Sequence, residues 1–323
     1  MQVKELKFSN LLSDDAVFKS FNKNYTHFIL LWYEFQRSWY YRSITAFNDI
    51  DKWFILLYFF RKTFKRYQEY FINKSFESFY SQSYFEIEKF NIIDLAKELN
   101  YSKETVRRKI LELEKDNFIS KDGKSIRINL KFILNSIETK HPIGSVKAFS
   151  KLLSSFTKIL YEKGNIERSF NEIESEKVIK DNFTRLWLFF LDFQINFSLR
   201  VRSVFKDHET WFIWAILVYN QTIILSKKLK NKKIELNANQ FMKMMPSEQP
   251  GLNAMSISDL SGIPRPTVLR KLSHLMKDKS VKKSPNALYE LCEGKTLKIV
   301  EPLRVTNNKE LCSLITKILN LLL

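Results

Sequence analysis

The sequence predicts a mostly α-helical fold made of two tandem copies of one unit. Apolar and aromatic residues recur at helical spacing over long stretches, and the 323 residues include only 6 glycines and 7 prolines, so tight turns are few. The stretch from Phe90 to Leu130 returns 162 positions later without a gap, and the helical segment before it returns at a spacing of 158. A repeat with the period of a whole domain means that each element should appear twice.

Taken in order, residues 1–13 form an N-terminal tail without the apolar core of a signal peptide. Residues 14–46 read as one long amphipathic helix carrying Phe18, Phe28, Trp32, Phe35 and Trp39. Phe47-Asn48-Asp49 interrupts it, and a second helix follows from about Ile50 to Lys74, with Asp49 placed to cap it. This helical region spans 14–88. Its second copy, 172–253, carries the matches Phe193-Gln194 for Phe35-Gln36, Arg200 for Arg42, Phe205-Lys206-Asp207 for Phe47-Asn48-Asp49 and Trp211-Phe212 for Trp53-Phe54. The change in spacing from 158 to 162 implies four extra residues in the second copy, near Met242–Gly251.

The best-marked segment is 89–133. Leu95, Ala96 and Leu99 give a short apolar helix face, Asn100-Tyr101 a turn, and Ser102 an N-cap. Val106, Ile110 and Leu113 mark a second helix, with Lys103, Arg107 and Arg108 off its apolar stripe. A period of two then sets in at Ile119 and Ile126-Arg127-Ile128 around an Asp122-Gly123 turn. The counterpart, 254–300, aligns Thr267-Val268 with Thr105-Val106 and Arg270-Lys271 with Arg108-Lys109. Its hairpin, Lys282-Lys283-Ser284-Pro285-Asn286, has a proline and no clean alternation. Strand-like alternation is expected nowhere else. A closing helix follows each copy, at 134–171 together with a polar connector and at 301–323; Leu152 to Leu160 aligns with Leu311 to Leu319.

Helix, turn, basic helix and hairpin together resemble the winged helix-turn-helix of bacterial transcriptional regulators of the MarR- and IclR-like kind. The resemblance covers the two modules well and their helical flanks in outline. It implies a pseudo-two-fold, single-chain dimer: a monomer that carries both halves of what is usually a homodimer. It also implies two helices that enter successive major grooves of double-stranded DNA. Because the copies have diverged (Arg107 faces Leu269, and Ser102-Lys103-Glu104 faces Pro264-Arg265-Pro266), an asymmetric operator is expected.

The formal net charge of +18 calls for a polyanionic partner, DNA before an anionic membrane surface. AT-rich codon usage also yields chains rich in Lys, Asn and Phe, so the charge counts only alongside the two motifs. The residues expected at DNA are Ser102, Lys103, Thr105, Arg107, Arg108, Lys121, Lys124 and Arg127 in the first module. Arg265, Thr267, Arg270, Lys271, Lys282 and Lys283 are their counterparts in the second. Arginines there can grip guanine or phosphate; Arg108 and Arg270 could instead pair within their own module, and one module could serve only as a packing partner. Gln36, Arg42, Gln194 and Arg200 recur between the copies, which fits either a pocket for an acidic small-molecule effector or maintenance of the fold.

Cys292 and Cys312 are the only cysteines, which fits a reducing cytoplasm. The longest apolar runs, Trp53–Phe60 and Trp211–Tyr219, are too short to span a membrane. His27, His141, His208 and His274 lack partners at metal-ligand spacing, and neither a phosphate loop nor a nucleophile elbow occurs. No enzyme, metal or cofactor is therefore expected, and His208 is expected at the surface. A replication initiator of the plasmid type and a protein-interaction adaptor are the competing functions.

Overall fold

The computed structural model describes residues 11–87, 90–123, 125–135, 141–245, 250–292 and 295–322. It is mostly helical, with a small antiparallel sheet and a separate two-stranded hairpin. The predicted first helix is two: α1 (Asp14–Lys23) and α2 (Tyr25–Phe47). Asn24 separates them, its backbone outside helical angles and its side-chain amide donating to the Ser20 carbonyl. Asn48 ends α2 with a left-handed φ of 51°, and Asp49 caps α3 (Ile50–Glu69) by accepting from the Asp51 and Lys52 amides. That helix stops short of the expected Lys74, since Phe71 takes a left-handed φ of 56°.

A short α4 (Phe76–Tyr80) leads to a strand the sequence reading missed, β1 (Tyr84–Ile87). Then come α5 (Ile92–Glu98), α6 (Lys103–Lys115), β2 (Ile119–Asp122) and β3 (Ser125–Asn129), in a sheet ordered β1-β3-β2. The hairpin turns at the predicted Asp-Gly, with Gly123 at φ +58°. Two helices, α7 (Leu130–Asn135) and α8 (His141–Glu162), replace the single closing helix expected here.

Residues 172–322 bring elements in a similar order. They are α9 (Glu172–Asp181), α10 (Phe183–Phe205), α11 (His208–Lys232), α12 (Ala238–Met244), α13 (Ala254–Ser261), α14 (Arg265–Lys277), β4 (Val281–Lys283), β5 (Tyr289–Leu291) and α15 (Lys295–Leu322). The lengths of α10 and α14, 23 and 13 residues, equal those of α2 and α6. In place of β1 there is a single bridge from Leu252 to Tyr289. The Ser284–Leu288 segment, which lacks alternation, does turn a short hairpin, β4 to β5. Among the described residues no helix is long and apolar enough to cross a membrane.

The core lies where α2, α3, α10 and α11 meet, and aromatic rings fill it. Trp32 packs on Phe193 and Phe197, Phe35 on Phe190, and Tyr40 on Trp211 and Phe212. Such ring pairs add about 0.5–1.5 kcal/mol each beyond the area they bury. At the centre the Gln36 amide donates to Gln194 Oε1 across 3.4 Å.

The α2–α3 and α10–α11 corners also touch. His208 is buried, not at the surface: its Nδ1 lies 3.1 Å from Asp51 Oδ1, its Nε2 meets the Ser198 hydroxyl, and its ring stacks on Phe54. The Tyr101 hydroxyl donates to the same carboxylate at 2.7 Å, and Arg202 lies over the Tyr101 ring while donating to the Leu99 carbonyl. Serine, histidine and aspartate therefore stand in line, with Ser198 and His208 both buried. Burial pushes the Asp51 carboxyl up, yet His208, Tyr101 and Arg202 together hold it down at about 2. A depressed carboxylate adds stability above its unfolded value of about 4, and that stability is lost as pH falls toward 2. Asp51→Asn should cost about 1–3 kcal/mol near neutral pH, and its melting temperature should fall less than that of the wild type between about pH 5 and pH 3. Equal acid sensitivity of the two proteins in thermal melts would show that Asp51 does not join the halves.

Candidate nucleic-acid interface

Each short helix pair is seated by a lysine in the apolar stripe of its second helix. In α6 the buried positions are Val106, Lys109, Ile110 and Leu113; in α14 they are Val268, Lys271, Leu272 and Leu275. The Lys109 amine pairs with Asp49, the cap of α3, and with Glu112 at 2.7 Å. The Lys271 amine lies 2.8 Å from Asp207, the cap of α11, and 3.5 Å from Glu209. Burial raises the Asp207 carboxyl, but Lys271 and the Thr210 amide outweigh it and leave the group below its ordinary range. Lys271, expected at DNA, is thus only 7% exposed and faces inward.

The remaining expected residues divide into free and engaged. Ser102 caps α6 through the Thr105 amide at 3.0 Å and also shares a hydrogen bond with the Thr105 hydroxyl, so both hydroxyls are partly used. Lys103 and Arg107 are exposed, and among the described residues neither meets an acid. Arg108 is also exposed, with a loose 3.8 Å contact to Glu112 one turn on. In α14, Arg265 and Arg270 are exposed without a carboxylate partner among the described residues, and Thr267 is half-buried. Pro264 precedes the helix and gives no side-chain cap.

The hairpins are less available. Lys121 pairs with Glu114 at 3.5 Å, and Arg127 is held by Glu86, Asp122 and the Tyr84 ring. Lys282 lies 3.5 Å from Glu290, and Lys283 sits over the Tyr289 ring. Lys124 lies outside the described residues.

Each turn rests on the far half of the molecule. Arg202, near the end of α10, donates to Leu99 in the turn between α5 and α6. A Cβ at Gly262, in the turn between α13 and α14 with φ +72°, would stand 3.3–3.4 Å from Thr45 and Tyr41 near the end of α2. Both short helix pairs therefore sit where α2 and α10 finish, beside the joined corners.

The residues expected to form an effector pocket do not gather into one. Gln36 and Gln194 satisfy each other in part, Arg42 donates to Ser38, and Arg200 is gripped at both guanidinium ends by Glu310 and by Asn307. Burial, aided by Arg37, lowers Arg42 to about 10. Comparison with protein families, with characterised proteins and with solved structures found no match for the chain.

The two arginine–lysine neighbours of α14 should behave oppositely. Lys271→Met strands Asp207 and Glu209 and should lower stability by about 1–3 kcal/mol, whereas Arg270→Ala should stay within about 0.5 kcal/mol of wild type. Urea unfolding of both variants tests this, and equal stabilities would contradict the inward role of Lys271.

Proposed function

We propose that this chain is a sequence-specific, double-stranded DNA-binding transcriptional regulator, with two winged helix-turn-helix modules that arose by internal duplication. The single observation that carries the reading is the matched seating of α6 and α14. Each turns an apolar face and one lysine inward and leaves outward cations that form no ion pair among the described residues: Lys103 and Arg107 on one, Arg265 and Arg270 on the other. An outward cation keeps its charge for phosphate or for guanine acceptors, whereas a paired one must first break its pair. The sheet order β1-β3-β2 flanking α5 and α6 resembles a winged helix, and the bridge at Leu252 is its remnant in the second half.

The local pairing of Lys121, Arg127 and Lys282 moves the expected weight of contact from the hairpins to the helices. The free cations differ in kind and position between α6 and α14, so the two half-sites need not match. One chain would then act as a pseudo-dimer at an asymmetric operator. The covalent connection makes docking of the second module intramolecular.

Selection of bound duplexes from random DNA, followed by mobility shifts, tests the proposal. Arg107→Ala and Arg265→Ala should each weaken binding about tenfold, with melting temperatures unchanged. Affinity should fall with salt at a log–log slope of about −0.9 for each phosphate contacted. Failure of any duplex to bind above the background of a scrambled pool, or a flat salt dependence, would overturn it.

A further inference from the structure

Between α2, α10, α11 and α15 lies a cavity of about 90 Å³, lined by Trp32, Phe197, Trp211 and Trp214, with Met242 and Met245 of the α12 region at one side. Its walls also contain polar side-chain atoms that meet no hydrogen-bond partner among the described residues: the Gln36 carbonyl oxygen, Arg37 Nε, the Trp214 indole nitrogen and Asn308 Nδ2. Glu301 and Arg304, joined by a 2.7 Å hydrogen bond, complete the lining. A buried polar group left without a partner costs about 1–3 kcal/mol, so four in one wall form an incomplete arrangement.

The position 158 residues away shows what opens this space. There a second cavity holds only about 20 Å³, lined by Trp39, Trp53, Leu57 and Phe60. Ala215 and Val218 stand where Leu57 and Phe60 would fall, and the smaller side chains leave the larger void. His141 fills the smaller cavity further, bound to the Ser43 hydroxyl at 3.0 Å and packed on Trp53.

The unpartnered groups define the chemistry of an occupant. Three are donors and one is an acceptor, so the occupant must offer carbonyl-type acceptors and an N–H donor. The flat indole and phenyl walls favour a planar ring. A dry cavity of about 150 Å³ holds benzene; at about 90 Å³ this one admits a single ring only as the two adaptable methionines in its wall shift. Glu301 is already paired with Arg304, so selection falls to hydrogen bonding: a carboxylate has no N–H to give to Gln36, whereas a cyclic amide has one. From these we infer that the cavity is a binding site for a neutral, planar, one-ring cyclic amide or imide. The inference does not depend on DNA binding.

Uracil serves as the probe, and quenching of the tryptophan fluorescence of the full chain serves as the readout. Saturable quenching by uracil is expected, with none from benzene or benzoate. Ala215→Leu, which refills the void, should abolish it. Trp214→Phe keeps a ring but removes the donor and should weaken binding about tenfold, the loss of one hydrogen bond. If Ala215→Leu fails to fold, Val218→Phe fills the same space. No saturable response to uracil, an equal response to benzene or benzoate, or a response that persists in a folded cavity-filled variant would overturn the proposal.

Discussion

An amine inside an apolar stripe is tolerated only where a carboxylate meets it, because the charge has left water and nothing else in the stripe can replace that hydration. Lys109 and Lys271 occupy such positions, and the acids that meet them are the same ones that cap α3 and α11. Asp49 and Asp207 each perform two tasks: they accept the first helix amides and they receive a lysine from the adjoining module. The direction of a core helix and the seating of an exposed one are therefore set at a single carboxylate, once in each half. Without it, α6 and α14 would keep their apolar faces but lose the point that fixes their rotation against the body.

Around that shared device the halves have diverged. Glu310 and Asn307 hold Arg200 on α15, while Arg42 finds only Ser38, and Ala148 and Lys151 of α8 stand where the acid and amide would align. The first half pairs a full third strand into its sheet, and the second keeps one bridge. Contacts across the halves are also unequal: the turn at Tyr101 is reached by a charged arginine, the turn at Gly262 by Tyr41 and Thr45. The space beside Ala215 and Val218 is the larger of the two cavities, where the first half places Leu57 and Phe60.

Much of this was legible in the residues. The mostly helical class, the Asp49 and Ser102 caps and the Asp-Gly turn all follow from spacing and local chemistry. The inward turn of Lys271 also has a local signal: residues 268, 271, 272 and 275 share one helical face, and a lysine on that face must turn inward to an acid. The aspartates that receive these lysines recur in both halves at one spacing, so the signal was present though divided between distant segments. Other features had no local signal. The burial of His208 arises from Asp51 and Phe54 of the other half, and Tyr84 to Ile87 is too short a run to declare a strand without its partner β3. Ion pairing of Lys121 and Arg127 likewise depends on which acids the hairpin brings alongside.

The most direct measurement of the central claim is hydroxyl-radical footprinting of the whole chain on a selected duplex. If α6 and α14 dock together in successive major grooves, they should protect two segments on the same face of the DNA. Their centres should lie about ten base pairs apart, one helical turn. A single protected segment, or two on opposite faces, would contradict the account.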